Sequence, residues 1–167
     1  MIEYALLLTF PMAMAFAAAN DLFTMKIPNK VSLLLIATFA VAALYIRMPL
    51  ETLGMHLAIG AAVLAAGFVM FSLALLGGGD AKLMAAGALW MGPEHALFYI
   101  AYVTIFGGLL SAAFLGYRKF VPVSAEVLPP WAVNLHVQGT GIPYGMAIAA
   151  SGLVMYPSTI WYHALQM

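Results

Sequence analysis

Residues 56–76 read HLAIGAAVLAAGFVMFSLALL, a stretch that contains no Asp, Glu, Lys or Arg. A helix of about 20 apolar residues is long enough to cross the hydrocarbon core of a bilayer. This stretch therefore predicts a transmembrane helix. Directly after it, residues 77–82 read GGGDAK, so that an aspartate, Asp80, stands where an apolar run meets a polar, glycine-rich turn.

The whole chain is also rich in apolar residues and poor in charged residues. Of 167 residues, 65% are hydrophobic and 7% are charged, with a mean hydropathy of +1.03. Soluble proteins carry about 25% charged residues, so these values indicate an integral membrane protein. Six Lys and Arg residues balance six Asp and Glu residues, which leaves no basic surface for nucleic acid. The absence of cysteine excludes thiolate catalysis and Cys-based metal sites.

Five further apolar runs extend the prediction to the rest of the chain. They cover residues 2–20, 31–46, 83–92, 96–117 and 142–162. We predict an all-α, polytopic membrane helix bundle with about six transmembrane helices, forming a single domain over residues 1–167. As a helix, the run 83–92 would be about 15 Å long, too short to cross alone. It is predicted to be a short or half-depth helix, unless its first turn lies within the glycine segment.

The distribution of basic residues predicts the orientation. The loops after the first, third and fifth predicted helices contain Lys26, Lys30, Lys82, Arg118 and Lys119, whereas the loops after the second and fourth contain only Arg47. The positive-inside rule places the first set in the cytoplasm and the N-terminus outside. The loop from Arg118 to Gly141 is predicted to lie at the membrane interface, with a flap over the site as the less favoured alternative.

The chain contains only two aspartates, Asp21 and Asp80. Two predicted crossings separate them, so the chain returns to the same leaflet and both carboxylates lie at one membrane depth. An ionisable residue at membrane depth costs about 2.5–3.5 kcal/mol on translocon scales. As structural alternatives, Asp80 is a helix N-cap and Asp21 a boundary residue paired with headgroups or with Lys26. Neither alternative explains the glycines at residues 77–79, which lower helix stability.

Two carboxylates at one depth are able to perform the chemistry of an aspartic protease. Like charges in close contact share one proton, and a water between them attacks a peptide carbonyl. One carboxylate then acts as the base toward the water, while the protonated one polarises the carbonyl. The pair Asp21 and Asp80 is therefore the candidate catalytic dyad.

Three segments connect these aspartates to a known family. They read DLFTMKIPN at residues 21–29, GGGDAKL at residues 77–83 and IPYGMAI at residues 142–148. In these segments the sequence resembles the type IV prepilin leader peptidases, which are membrane aspartyl proteases with a GxGD signature. The segments occur in order from the first predicted helix to the last.

The resemblance implies a hydrolase of pilus biogenesis in the bacterial inner membrane. It implies cleavage of the leader of prepilin or pseudopilin substrates at the cytoplasmic face, with Asp21 and Asp80 as catalytic residues. Larger family members also carry an N-terminal segment with paired cysteines and methylate the new N-terminus. Because this chain has no cysteine, we expect peptidase activity without methylation. Its minimal form resembles the small branch that serves Flp-type pili of tight-adherence systems.

Other residues in the three segments are expected to bind substrate or to shape the site. They are Gly77, Gly78, Gly79, Lys82, Pro28, Asn29, Pro143, Tyr144 and Gly145. The glycines would supply backbone room for a scissile bond that leaves helical geometry.

Simple structural roles are also expected for several of these residues. Pro28 would end the first helix and Asn29 would cap the second. Lys82 lies on a different side of a helix from Asp80, and it serves either as an interfacial anchor or to hold an acidic group of the substrate. Pro143 would open the last helix.

Two other classes of function compete with a protease. A small transporter or channel would use Asp21 and Asp80 to carry protons or cations, but it needs a polar path to both faces. A structural membrane subunit would leave the glycine segment unexplained. The four histidines, His56, His95, His136 and His163, lack metal-ligand spacing, so we predict neither a metal nor a cofactor.

Overall fold

The computed structural model describes residues 2–120, 133 and 141–165, and this part of the chain forms helices and turns without a β-strand. The all-α prediction is therefore confirmed. The helices are α1 (Ile2–Thr24), α2 (Asn29–Tyr45), α3 (Leu50–Ser72), α4 (Gly78–Phe120), α5 (Gly145–Met155) and α6 (Ile160–Leu165), with a 3-10 turn at Tyr156–Ser158. The interfacial segment predicted between Arg118 and Gly141 falls mostly outside the described residues.

The surface of the helix bundle is apolar. Helices α1, α3 and α4 are long and apolar enough to cross a membrane, and α2 is a shorter apolar helix of 17 residues. Large apolar side chains point outward, so that Leu44 is 79% exposed and Leu97 is 75% exposed, whereas Asp21 is only 5% exposed. This distribution suits a bundle surrounded by lipid.

Helix α4 forms the centre of the bundle. It packs against α2, α3 and α5, and α5 packs in turn against α1. Residues 83–92 of α4 are all buried. Within them, the ring of Trp90 lies 5.4 Å from that of Phe10 and 5.1 Å from that of Trp161, measured between centroids. The short predicted fourth helix is thus enclosed by protein and includes earlier residues from Gly78 onward.

A sharp break divides α4 at Gly92. The backbone of Gly92 has φ 67° and ψ −175°, and Pro93 follows it. In a straight helix, residues 87 and 99 would be about 18 Å apart. Instead, the hydroxyl of Tyr99 lies against the Cα of Gly87, where a Cβ would overlap it. The segments 78–91 and 93–120 therefore fold back on each other, in agreement with the two separate apolar runs in the sequence.

Side chains from other helices compensate for the broken hydrogen-bond pattern. Pro93 has no amide hydrogen to donate to the carbonyl of Leu89, four residues earlier. The Nδ1 of His56 donates to this carbonyl at 2.7 Å, and the Nε1 of Trp161 donates to the carbonyl of Trp90 at 2.6 Å. An unsatisfied carbonyl would be costly in this dry interior. These contacts explain why a histidine is buried in α3.

The last apolar run differs from the single helix predicted for residues 142–162. Helix α5 ends at Met155, and a 3-10 turn containing Pro157 leads into α6. The reason is that Pro157 cannot continue the α-helical hydrogen-bond pattern. The expected position of Pro143 was also wrong, because α5 begins at Gly145 and leaves Pro143 before the helix.

We expect His56→Ala to lower the free energy of unfolding by about 1–3 kcal/mol, because it leaves the buried carbonyl of Leu89 without a donor. The measurement is the thermal unfolding midpoint of the detergent-purified protein. His163→Ala, which removes an exposed imidazole from α6, is the control. Equal midpoints for the two variants would contradict this role of His56.

Candidate active site

Asp21 lies in the last turn of α1 and is tied to the beginning of α5. The backbone amide of Gly145 donates a hydrogen bond to Asp21 Oδ2 at 2.8 Å. The first amides of a helix have no partner within the helix, and a carboxylate is favoured there. A Cβ on Gly145 would lie 2.8 Å from Asp21 Oδ2, so glycine is needed for this approach.

Asp80 lies in the first turn of α4 and is half-buried. The helix begins at Gly78, so Asp80 is not its N-cap. Its Oδ2 turns back toward Gly77, where a Cβ on this glycine would lie 2.5 Å away, and this is the direction taken by the third-position acid of a capping box. Oδ1 of Asp80 is buried and has no hydrogen-bond partner among the described residues. The capping role therefore accounts for only one of the two oxygens.

The two carboxylates face a common cavity of about 780 Å³. Met25, Phe71 and Tyr144 also line this cavity. The structure thus brings together the two residues that the sequence places at one membrane depth.

The glycine segment allows α4 to begin beside the end of α1. A Cβ on Gly79 would lie 3.1 Å from the Cβ of Ile27, and one on Gly78 would lie 3.3 Å from the ring of Phe71. A second cavity of about 340 Å³ between residues 77–80 and residues 25–27 also contacts both aspartates. The absence of side chains on these glycines therefore permits close packing at the site.

Asn29 does not have the capping role expected from the sequence. Pro28 occupies the N-cap position of α2, with φ −64° and ψ 132°, and no side chain caps this helix. Asn29 is already the first helical residue, and its Oδ1 accepts a hydrogen bond from Lys82 Nζ at 3.0 Å. This bond joins residues 21–29 to residues 77–83, on the side of α4 away from Asp80.

The matching family model is that of the type IV leader peptidase family, and it covers residues 8–112. The chain belongs to this family. The matched region contains Asp21, residues 77–80 and Lys82, and it ends before Gly145. Comparison with curated proteins and with solved structures gives no significant match. The chain is therefore a leader-peptidase-like protease built from apolar helices.

The structure adds residues of this leader peptidase that the sequence did not single out. Nδ2 of Asn20 donates to the carbonyl of Lys26 at 2.6 Å, and the hydroxyl of Thr24 donates to the carbonyl of Asn20 at 2.7 Å. These bonds fix the turn that follows Asp21. In the sequence, Asn20 and Thr24 are polar residues four positions apart beside Asp21, and this spacing places their side chains on one face of a helix.

Two contacts hold the segment that leads to Gly145. Nη2 of Arg118 donates to the carbonyl of Gly141 at 3.0 Å. The ring of Tyr144 lies against the Cα of Gly107, where a Cβ would overlap the phenol. Both Arg118 and Tyr144 line the cavity of the aspartates. Helix α4 thus positions the segment whose amide binds Asp21.

Among the described residues, no group of three His, Cys, Asp or Glu side chains is placed to hold a metal ion. The acids at the site are the two aspartates, and His56 lies at the break in α4.

We expect Gly107→Ala to lower the rate of leader cleavage by up to about 100-fold, because small displacements transmitted to a reacting group have effects of this size. The new methyl group would displace Tyr144, and with it the amide of Gly145. The measurement is the cleavage rate of a prepilin by equal amounts of folded protein.

Gly108→Ala is the matched control, since a Cβ at Gly108 meets nothing within 4 Å. It should retain the wild-type cleavage rate, and alanine should favour the helix slightly. Similar rates for the two variants would show that the packing of Tyr144 on Gly107 does not position the site.

Proposed function

We propose that this protein is an aspartic endopeptidase that removes the N-terminal leader of prepilins or pseudopilins at the cytoplasmic face of the bacterial inner membrane. Prepilins of Flp-type pili are the first substrates to test. The observation that carries the proposal is the shared cavity of Asp21 and Asp80. Membership of the leader peptidase family supports the substrate class.

The proposed reaction is hydrolysis by a water held between the two carboxylates. One carboxylate removes a proton from the water while the other, protonated, donates a hydrogen bond to the carbonyl of the scissile peptide. The water oxygen bonds to the carbonyl carbon, and the C–N bond breaks as the amide nitrogen gains a proton. The products are a carboxylate at the end of the leader and a free amine on the mature protein.

The hydrogen bonds at the site support a reaction that uses both carboxylates. The bond from Gly145 fixes the orientation of the Asp21 carboxylate. Oδ1 of Asp80 has no partner among the described residues, so it is available to bind the water or the substrate carbonyl. A buried polar atom is stabilised once such a partner arrives.

The proposed membrane arrangement has about six crossings in a single domain, residues 1–167, with the N-terminus outside. In this arrangement the segment 93–120 of α4 would be a full crossing, and the segment 78–91 would be the short or half-depth fourth helix. Lys26 and Arg118 line the cavities that contain the aspartates, while Arg47 lies in the connection between α2 and α3. Basic residues at the end of the bundle that carries the aspartates support a cytoplasmic active site.

We expect Asp21→Asn and Asp80→Asn each to lower the cleavage rate at least about 100-fold, the contribution typical of a general acid or base. The measurement is leader removal from a prepilin by detergent-purified protein in the presence of a chelator. Glu51→Gln, in the first turn of α3, is the control and should leave the rate unchanged.

Two outcomes of this experiment would overturn the dyad. One is an Asp21→Asn variant that keeps almost full activity while Asp80→Asn has none. The other is wild-type cleavage that stops with the chelator and returns with added metal, which would point to a metalloenzyme.

We also propose that the protein cleaves without methylating the product. With S-adenosylmethionine in the reaction, the mature product should have the mass of an unmodified N-terminus by mass spectrometry. A product heavier by one methyl group, formed by the purified protein, would contradict this proposal.

A further inference from the structure

A groove on the outside of the bundle runs between α2 and α3, with α4 as its floor. Its volume is about 430 Å³. Each helix contributes residues spaced three and four apart, so the groove follows one face of each helix. Ile36, Leu57 and Leu89 form its apolar part. This groove is separate from the cavity of the two aspartates.

The polar residues of the groove are gathered at one end. Lys82 and Asn29 lie there, joined by their 3.0 Å hydrogen bond, together with Ser32. From Lys82 to Leu89 the floor extends about 10 Å along α4. Lys82 is two residues from Asp80, at the depth where the helix begins. The groove therefore runs from the polar start of α4 into the apolar interior.

The charge at the polar end is positive. Lys82 donates to a neutral amide oxygen, and the residues that line the groove include no Asp or Glu. The hydroxyl of Ser32, which is 5% exposed, is buried and has no hydrogen-bond partner in the described structure. A donor set of ammonium, amide and hydroxyl is suited to a phosphate group.

We infer that this groove binds one acyl chain of an anionic phospholipid, with the lipid phosphate on Lys82. The order of polarity along the groove is that of a phospholipid: a charged head at the surface and a hydrocarbon chain directed inward. Beyond Ser32 the lining consists only of aliphatic side chains and glycine, with no polar group to pair with the polar side chains of a peptide. A hydrocarbon chain needs no such partner. The inference does not depend on the proposed peptidase mechanism.

The test measures lipid binding to the full chain purified in a neutral detergent. Phosphatidylglycerol and phosphatidylcholine with identical acyl chains are titrated in parallel, and retained lipid is counted by native mass spectrometry. We expect phosphatidylglycerol to bind about fivefold more tightly, the effect of about 1 kcal/mol for one basic residue at an anionic surface. Inorganic phosphate alone should not compete, since it has no acyl chain.

Matched variants separate the head and chain contacts. Lys82→Gln should abolish the preference for phosphatidylglycerol, whereas Lys82→Arg and Lys119→Gln should keep it. Ala61→Phe, which fills the groove, should weaken both lipids, and Ala62→Phe on the neighbouring face of α3 should weaken neither.

Several results would overturn the inference. They are equal binding of the two lipids to the wild type, equal effects of Lys82→Gln and Lys119→Gln, and equal effects of the two phenylalanine variants. Displacement of the bound lipid by a prepilin in proportion to cleavage would assign the groove to the substrate instead. Because binding is counted directly, an inactive enzyme would not affect the outcome.

Discussion

The hydrogen bond from the amide of Gly145 to Asp21 joins the end of α1 to the beginning of α5, across 124 residues of sequence. In an apolar environment, the amide of Gly145 and the carboxylate of Asp21 each require a hydrogen-bond partner. The carboxylate is buried, and the first amides of a helix have no partner within the helix. The bond satisfies both and orients one of the two acids. Glycine at residue 145 is required because a side chain would occupy the space of the carboxylate.

The reversal of α4 at Gly92 brings the polar turn before this helix close to the polar segment that follows it. Because segments 78–91 and 93–120 fold back on each other, the start and the end of α4 lie at the same end of the bundle. Asp80 is at the start, and Arg118 at the end holds Gly141. The packing that stabilises this reversal lies far from the site, at the carbonyls that His56 and Trp161 satisfy. A helix break in the core thus assembles a cavity near the membrane surface.

The sequence was sufficient to predict the helical class, the placement of the two aspartates at the same end of the bundle and the separation of the apolar runs near Gly92. These features depend on hydrophobicity and on chain direction, both of which are local properties. The contacts of Asn29 and of Tyr144 were not predictable in this way. Asn29 lies 53 residues from Lys82, its hydrogen-bond partner, and Tyr144 packs on a glycine in another helix. Such pairings depend on tertiary packing, which overrides the local capping preference.

The end of the chain also combines a feature that the sequence predicts with one that depends on tertiary packing. The apolar run was visible over residues 142–162, but whether Pro157 would break the helix depended on how neighbouring helices satisfy the backbone. The structure has a 3-10 turn there, and α6 then places Trp161 against Trp90. The proline therefore redirects the chain so that its last helix contacts the core.

The proximity of Asp21 and Asp80 is tested most directly by chemical crosslinking. The chain contains no cysteine, so Asp21→Cys/Asp80→Cys in membranes offers a single pair of thiols to a short bifunctional reagent. Asn29→Cys/Lys82→Cys is the positive control, and Asp21→Cys/Glu51→Cys is the negative control, since Glu51 lies about 30 Å along α3 from Phe71 at the cavity. We predict that the aspartate pair crosslinks as readily as the positive control. A pair that crosslinks no better than the negative control, while the positive control reacts, would contradict a shared catalytic cavity.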